Sequence, residues 1–323
     1  MRYYVTLFDS NYLTRGLVMY YSLLKYADDF HLWIICFDDL AYQILEQLDI
    51  QQVTLVSLSQ FEDEKLLEIK SQRTRPEYCW TCTPSTLAYV LNTEPHVDII
   101  TYLDADLMFF SSLEPIFAEA GSASILLTEH RYLPDCDLSA TSGIYNVQFM
   151  MFRRNQEGLN AINWWRERCL EWCYARYEDN KFGDQKYLDD WPERFTGVYI
   201  LQHLGAGLAP WNAAKYHLTK LDDQVYVNQE YPLIFYHFHQ LKLLPWQISH
   251  LTGYPFNHEM RSWVYQQYLQ EINKTYQQIR QTYPKFNLGI ADFPKIPKRP
   301  DNLYRFVKTT IKDIKTGRYY RYA

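Results

Sequence analysis

The chain has 323 residues, of which 47% are apolar and 22% charged, ordinary globular usage with enough apolar mass for a sizeable core, so disorder is excluded as the main state. A formal net charge of −6 argues against a protein that coats nucleic acid with its whole surface, and no nucleic-acid partner is expected. Phe, Trp and Tyr together reach 17%, an excess that suits concave sites and interfaces as well as cores, because each ring offers a flat apolar face.

In chain order, Tyr3–Phe8 reads as a strand, Leu13–Tyr26 as a helix, His31–Phe37 as a strand, Ala41–Leu48 as a helix and Val53–Ser57 as a strand. Phe61–Lys70 and Ser85–Leu91 read as helices, and Val97–Leu103 is a mostly apolar strand. Such alternation predicts an α/β fold with a mostly parallel sheet flanked by helices, and in such sheets ligands sit beyond the carboxyl ends of the strands. Farther on, Ser124–Thr128 and Gly143–Phe152 read as strands, Leu159–Tyr174 as a helix and Gly183–Trp191 as a shorter one. Leu233–Phe238 reads as a late strand and His258–Thr282 as a long helix rich in Gln and Tyr. The expected division is a main α/β domain over residues 1–255 and a helical extension with a tail over 256–323.

Prolines at 284, 294, 297 and 300 mark a linker to that tail. From Lys295 onward nine basic residues (Lys295, Lys298, Arg299, Arg305, Lys308, Lys312, Lys315, Arg318 and Arg321) face only Asp301 and Asp313, a net +7, which leaves −13 for the rest. With Tyr304, Phe306, Tyr319, Tyr320 and Tyr322 interleaved, the tail could rest on an anionic membrane; a solvated extension or a subunit contact is the plainer alternative. No stretch approaches a membrane span, and Met1–Val5 runs into a strand without a signal-peptide core, so a soluble cytoplasmic protein is the expectation, with the inner face of the membrane as its docking surface. Six cysteines are too sparse for a disulfide scaffold and should be reduced thiols. Cys79-x-x-Cys82 with Cys169-x-x-x-Cys173 could form a zinc site, but at i, i+4 on a helical stretch the second pair more simply packs.

No Gly-rich phosphate loop occurs, so bound phosphates would be neutralised another way. The sharpest motif is Leu103-Asp104-Ala105-Asp106, at the end of the buried strand. In extended backbone residues i and i+2 point to one side, so both carboxylates can converge past the sheet edge. Carboxylates that close repel unless a cation joins them, and hard oxygen donors suit Mg²⁺ or Mn²⁺. A solvated turn is the bland alternative, but the apolar run Leu107-Met108-Phe109-Phe110 that follows is unlike the flank of an exposed turn.

A strand ending in DxD after several α/β elements resembles the GT-A glycosyltransferases, and in detail the retaining branch that includes bacterial lipopolysaccharide galactosyltransferases and glycogenin. Leu7-Phe8-Asp9-Ser10-Asn11-Tyr12 is similar to that family's uracil pocket. The resemblance implies base contacts from Asp9 and Asn11 and stacking by Tyr12, with Leu7 and Ala105 lining the donor; an Asp/Asn helix cap with a core tyrosine is the structural alternative. Phe235-Tyr236-His237-Phe238-His239, followed by Lys242 and Pro245-Trp246, resembles the late His-aromatic element. By that match Asp104, Asp106 and His237 hold the metal and Lys242 contacts the diphosphate, while His239, on the same strand face, keeps the choice of histidine open. Ser142-Gly143-Ile144-Tyr145-Asn146-Val147 and Gly183-Asp184-Gln185 resemble the acceptor-side strand and the catalytic Asp-Gln element. They assign Asn146 to substrate and Asp184 and Gln185 to catalysis, although Asp184 could also cap its helix. Gly205 and Trp211, in His203-Leu204-Gly205-Ala206-Gly207 and Ala209-Pro210-Trp211-Asn212, suit a substrate-side loop. One departure is clear. Where the family places a basic residue on the helix before the DxD strand, this chain has Thr83-Pro84-Ser85-Thr86, with Arg73 and Arg75 upstream.

The resemblance implies metal-dependent transfer of a sugar from a nucleotide-diphosphate donor, a UDP-sugar favoured, to a glycan, lipid-linked or protein hydroxyl, with retention. The rivals are a sugar-nucleotide pyrophosphorylase, which would want the missing phosphate loop, and a non-catalytic nucleotide-sugar or glycan binder.

Overall fold

The computed structural model describes residues 1–297 and 299–322; Lys298, counted above with the basic tail, lies outside the described residues. The amino-terminal half is built as its alternation predicts. Strand β1 (Arg2–Phe8) leads into helix α1 (Leu13–Tyr26), then β2 (Phe30–Cys36), α2 (Asp39–Gln47) and β3 (Val53–Ser57). Helix α2 begins where the Asp38 side chain accepts from the Ala41 amide, an N-cap that satisfies an otherwise orphaned donor. Gly16 in α1 is required by packing: a Cβ there would stand 2.4 Å from the Phe8 ring.

The predicted helix Phe61–Lys70 is instead two short ones, α3 (Leu58–Phe61) and α4 (Glu64–Lys70), because the Asp63 side chain accepts from the Leu66 amide and starts a new helix. Helix α5 (Arg75–Thr93) begins ten residues before its predicted start. A capping box formed by Thr74 and Glu77 nucleates it. It continues through Pro84, with the Thr81 and Thr83 hydroxyls bonding back to the carbonyls of Glu77 and Cys79 in the preceding turn. Proline signals a break by its missing N–H and its ring, but this helix is held on the core by buried Tyr78, Cys82, Leu87 and Val90.

Strand β4 (Ile99–Leu103) carries the DxD motif at its end and β5 (Leu107–Phe109) follows at once. Next come α6 (Glu114–Ala120), β6 (Ile125–Glu129), α7 (Ser139–Ser142), β7 (Tyr145–Arg153) and α8 (Gln156–Glu171). The predicted helix Gly183–Trp191 is a 3₁₀ turn at Lys186–Leu188 and a separate helix α9 (Trp191–Arg194), restarted by Pro192 in its first turn. Asp184 therefore caps no helix. Strand β8 (Val198–Ile200) closes the main sheet, whose order is β3-β2-β1-β4-β7-β6-β8, with β7 antiparallel to both neighbours. The order reverses between β1 and β4, and the crevice beyond their carboxyl ends is the expected ligand site of an open α/β sheet.

Strands β9 (Leu218–Leu221), β10 (Gln224–Val227) and β11 (Tyr231–Pro232) form a small antiparallel sheet, and β12 (Phe235–His237) pairs with β5. A last sheet joins β13 (Lys242–Leu244), β14 (Ile248–His250) and β15 (Tyr319–Arg321). Before β15 stand a π-helical turn at Met260–Tyr265, helix α10 (Gln266–Thr282) and helix α11 (Pro300–Lys315). Tyr265, Tyr268, Leu269 and Ile272 share one apolar core with Tyr4, Leu17 and Phe109, so α10 is part of the body that carries the crevice. Cys82, Cys169 and Cys173 pack in the core on the other side of the sheet; all six thiols are free. Among the described residues no helix is long and apolar enough to cross a membrane.

Candidate active site

The two aspartates and the histidine meet because of one short ladder. Beyond β4 the Asp104 amide is held by the Gln148 carbonyl at 3.0 Å, and the chain turns directly into β5. Antiparallel pairing of β5 with β12 sets His237 opposite Leu107, and the Phe238 amide donates to the Asp106 carbonyl at 2.9 Å. His237 Nε2 consequently lies 3.0 Å from Asp106 Oδ1 and 3.8 Å from Asp104 Oδ2. One donor atom from each of the three residues falls within 4.8 Å of the others, which is the spacing of ligands around a single cation.

Their surroundings suit that use. Gln148 Oε1, 2.9 Å away, accepts from His237 Nδ1, an arrangement that fixes the ring and leaves Nε2 as the ligand atom. The Tyr102 hydroxyl donates to Asp104 at 3.1 Å. Burial together with the neighbouring Asp106 lifts the Asp104 carboxyl above its ordinary range, against the pull of His237. Asp106 is buried too, but His237 outweighs the burial and holds it low. Burial opposes the charge on His237, yet the two carboxylates raise its affinity for a proton overall. With the imidazole neutral the group carries two negative charges, which one divalent ion cancels; two carboxylates and an imidazole fit Mn²⁺ or Mg²⁺.

The triad opens on a cavity of about 590 Å³. Leu7, Asp9, Asn11 and Tyr12, at the carboxyl end of β1, line it. Asp9 Oδ1 accepts from the amides of Asn11 and Tyr12 at 3.0 and 3.1 Å, and Oδ2 accepts from Arg75 Nε at 2.5 Å. Asn11 does not cap α1, whose N-cap is Tyr12 without a side-chain bond. The Tyr12 ring has the Arg15 guanidinium 4.8 Å from its centroid and keeps 45% of its surface exposed. Arg75, near the start of α5 and on the cavity wall, reaches both Asp9 and Asp38. Arg73 turns elsewhere, bonding the Leu170 carbonyl and covering Tyr174.

Asn146, Asp184, Gln185 and Trp211 line the cavity with the triad. Asn146 Nδ2 lies 2.9 Å from His130 Nε2 and 3.5 Å from Gln185 Oε1, and Gln185 donates to the Ser142 carbonyl at 2.6 Å. Gly183 takes a left-handed φ of +53°, which glycine adopts without strain, and the Trp165 indole fixes the Asp184 carbonyl at 2.8 Å. Asp184 is 3% exposed, and its Oδ2 has no hydrogen-bond partner among the described residues. Burial first, and Asp104 second, raise its carboxyl to about 7.

No family model matches the chain. It is 33% identical over 300 residues to the uncharacterized protein YfnD of Bacillus subtilis (strain 168), across 91% of this chain and 96% of YfnD. The chain belongs to the YfnD family. YfnF of the same strain is 32% identical over 297 residues, across 88% of this chain and 96% of YfnF. A solved structure to which this YfnD-family protein is similar is the galactosyltransferase LgtC in complex with donor and acceptor sugar analogs, at 12% identity and a TM-score of 0.48, across 84% of this chain and 95% of that one. That likeness is one of broad outline, and the chemistry is read from the site itself.

Two residues expected at the site stand outside the cavity wall of this YfnD-family chain. Lys242 is exposed at the start of β13. Gly205 serves the backbone: a Cβ there would lie 1.9 Å from the Pro232 carbonyl oxygen, and its own carbonyl accepts from the Ile234 amide at 2.7 Å. The wall also holds residues that the motifs did not single out, His130, Tyr132, Trp80 and Tyr102 among them. His130 stacks on Tyr132 at 4.5 Å and meets the Trp211 ring edge-on at 5.1 Å, and burial pushes its imidazole down to about 3. Its signal was its place one residue past the end of β6, at a strand end of the main sheet.

Proposed function

We propose that this protein is a metal-dependent GT-A glycosyltransferase that moves a hexosyl group from a nucleotide-diphosphate sugar, a UDP-sugar favoured, to a hydroxyl of a glycan, lipid-linked or protein acceptor. The observation that carries the reading is the convergence of Asp104, Asp106 and His237 at the switch point of the sheet, in the wall of a cavity that Tyr12, Asp184 and Gln185 also line. A divalent ion held by the three side chains would supply Lewis-acid neutralisation of the diphosphate as the glycosidic C–O bond breaks.

The chain's own residues have the following parts. Tyr12 offers the base a flat face, with Asp9, Asn11 and Leu7 at its edge. Because Asp9 is already paired with Arg75, base binding must share or displace that guanidinium. Ala105 lines the diphosphate between the two metal-binding carboxylates. Asn146 and Trp211 border the transferred sugar and the acceptor, and Gln185, fixed by Ser142, orients them. Asp184 faces the charge that develops on the sugar in an oxocarbenium-like transition state. Lys242 and Gly205, which stand outside the cavity wall, are given no part in donor binding here. Retention follows the family resemblance and implies attack by the acceptor hydroxyl on the face the diphosphate leaves.

Release of UDP from a panel of UDP-sugars in the presence of Mn²⁺, repeated with Asp106→Asn, is the test. Turnover that disappears in the variant supports the reading. Tight donor binding with no turnover under any acceptor would replace it with a binding protein, and release of pyrophosphate in place of a nucleoside diphosphate would replace it with a nucleotidyltransferase.

A further inference from the structure

Helix α11 carries an arrangement of side chains that the candidate active site does not use. At about 100° per residue, Leu303, Tyr304, Val307, Ile311 and Ile314 fall within an arc of roughly 100° along one side of the helix. All five are in solvent, from 38% for Leu303 to 69% for Tyr304. Arg305, Lys308, Lys312 and Lys315, also exposed, occupy the adjacent arc of roughly 80°. The third side faces the protein: Phe306 and Thr310 are half-buried and Asp313 is buried.

The helix is held in this attitude at its carboxyl end. Asp313 accepts from Arg318 Nη1 at 2.8 Å and lies 3.5 Å from His250 Nε2, while Arg318 Nη2 reaches the Tyr254 carbonyl at 3.3 Å. Strand β15 then pairs with β14 in the last sheet. The same sheet exposes Trp246, 77% in solvent, at the connection between β13 and β14. A stripe of large apolar side chains kept in water by a buried salt-bridge clamp is costly unless something covers it.

We propose that α11 lies on the surface of an anionic lipid bilayer, with the apolar stripe in the headgroup boundary and the basic flank against the phosphates. The charge distribution selects this occupant. The segment from Lys295 onward is +7 and the remainder of the chain is −13, so an anionic surface attracts the helix, repels the body and admits one orientation. A second copy of the chain would bring an identical basic flank to the same stripe, where like charges repel. The inference stands apart from the proposed sugar transfer, since none of the residues of the apolar stripe or the basic flank lines the cavity.

The test is flotation of the full-length protein with phosphatidylcholine vesicles, with and without about one third phosphatidylglycerol. We expect binding to the anionic vesicles alone, its release at about 1 M salt, and its loss in the Val307→Asp, Ile311→Asp double variant. Lys308→Gln with Lys312→Gln should weaken binding roughly 25-fold, at about one kcal/mol for each charge near the surface. Binding by the unsubstituted protein that is absent, or indifferent to phosphatidylglycerol, overturns the proposal whatever the variants do. So does a dimer in light scattering that the Val307→Asp, Ile311→Asp variant dissociates, because the stripe would then be a subunit contact.

Discussion

Asp184→Asn should make the protein more stable as it makes it less active. Asp184 is 3% exposed, and one of its carboxyl oxygens lacks a partner among the described residues. Burial, then the nearby Asp104, raises it to about 7, whereas in the unfolded chain it titrates near ~3.9. Below pH ~4 both states hold the proton and the group contributes nothing. As pH climbs from ~4 towards 7 the unfolded chain releases the proton while the folded one keeps it, so folding is progressively disfavoured. Above about 7 the cost is constant. Three units at 1.36 kcal/mol each give about 4 kcal/mol on the alkaline side, of which about 1.5 is already present at pH 5. Asparagine has no proton to release, so the advantage of the variant should widen by about 2.5 kcal/mol between pH 5 and pH 8. Urea unfolding of both proteins in EDTA at these two pH values reads this directly, the chelator keeping added charge out of the site. Parallel stability-against-pH curves would refute the desolvated carboxyl. Sugar transfer by the same variant, if Asp184 faces the charged transition state, should fall by at least about a hundredfold.

Three further outcomes follow from the same geometry. Mn²⁺ binding, followed by calorimetry, should weaken on acidification below pH 6, because protons compete at Asp104, which burial raises, and at His237, which the two carboxylates raise; an affinity unchanged between pH 5 and pH 7 would exclude both as ligands. Tyr12→Ala should loosen UDP by about tenfold or more, the worth of one base stacked on an aromatic ring, with little change in thermal midpoint because that ring is 45% exposed. Gly205→Ala should cost about 1–3 kcal/mol of stability through its collision with the Pro232 carbonyl and leave UDP affinity intact; weakened UDP binding in a protein of unchanged stability would return Gly205 to the site.

The alternation of strands and helices through the first 103 residues was legible in the sequence because period-2 and period-3.6 patterns are local, and each buried strand announces itself by its apolar run. The Asp104-Ala105-Asp106 motif was legible for the same reason, standing where such a run stops. The helix predicted to start at Ser85 starts ten residues earlier and runs through Pro84, because a residue's local preference against helix is weaker than the burial of the whole apolar face of α5. The predicted helix Gly183–Trp191 misled in the opposite sense: the chain there folds as a 3₁₀ turn at Lys186–Leu188, so Asp184 caps no helix and lines the cavity.

The sequence by itself determined the order of the elements through β4, the carboxylate pair at a strand end and the basic, aromatic character of the final segment, all of which depend on residues a few positions apart. Only the tertiary structure decided that His237 rather than His239 stands against the carboxylates, since that follows from the register of β12 on β5, and a slip of two residues in pairing would bring His239, on the same strand face, to that place. The tertiary structure also decided that Arg75 reaches Asp9, that Lys242 stays outside, that the Asp184 carboxyl is desolvated and that the stripe on α11 is left in water. Each of these is a relation between segments distant along the chain, set by packing and register, which no local pattern of residues encodes.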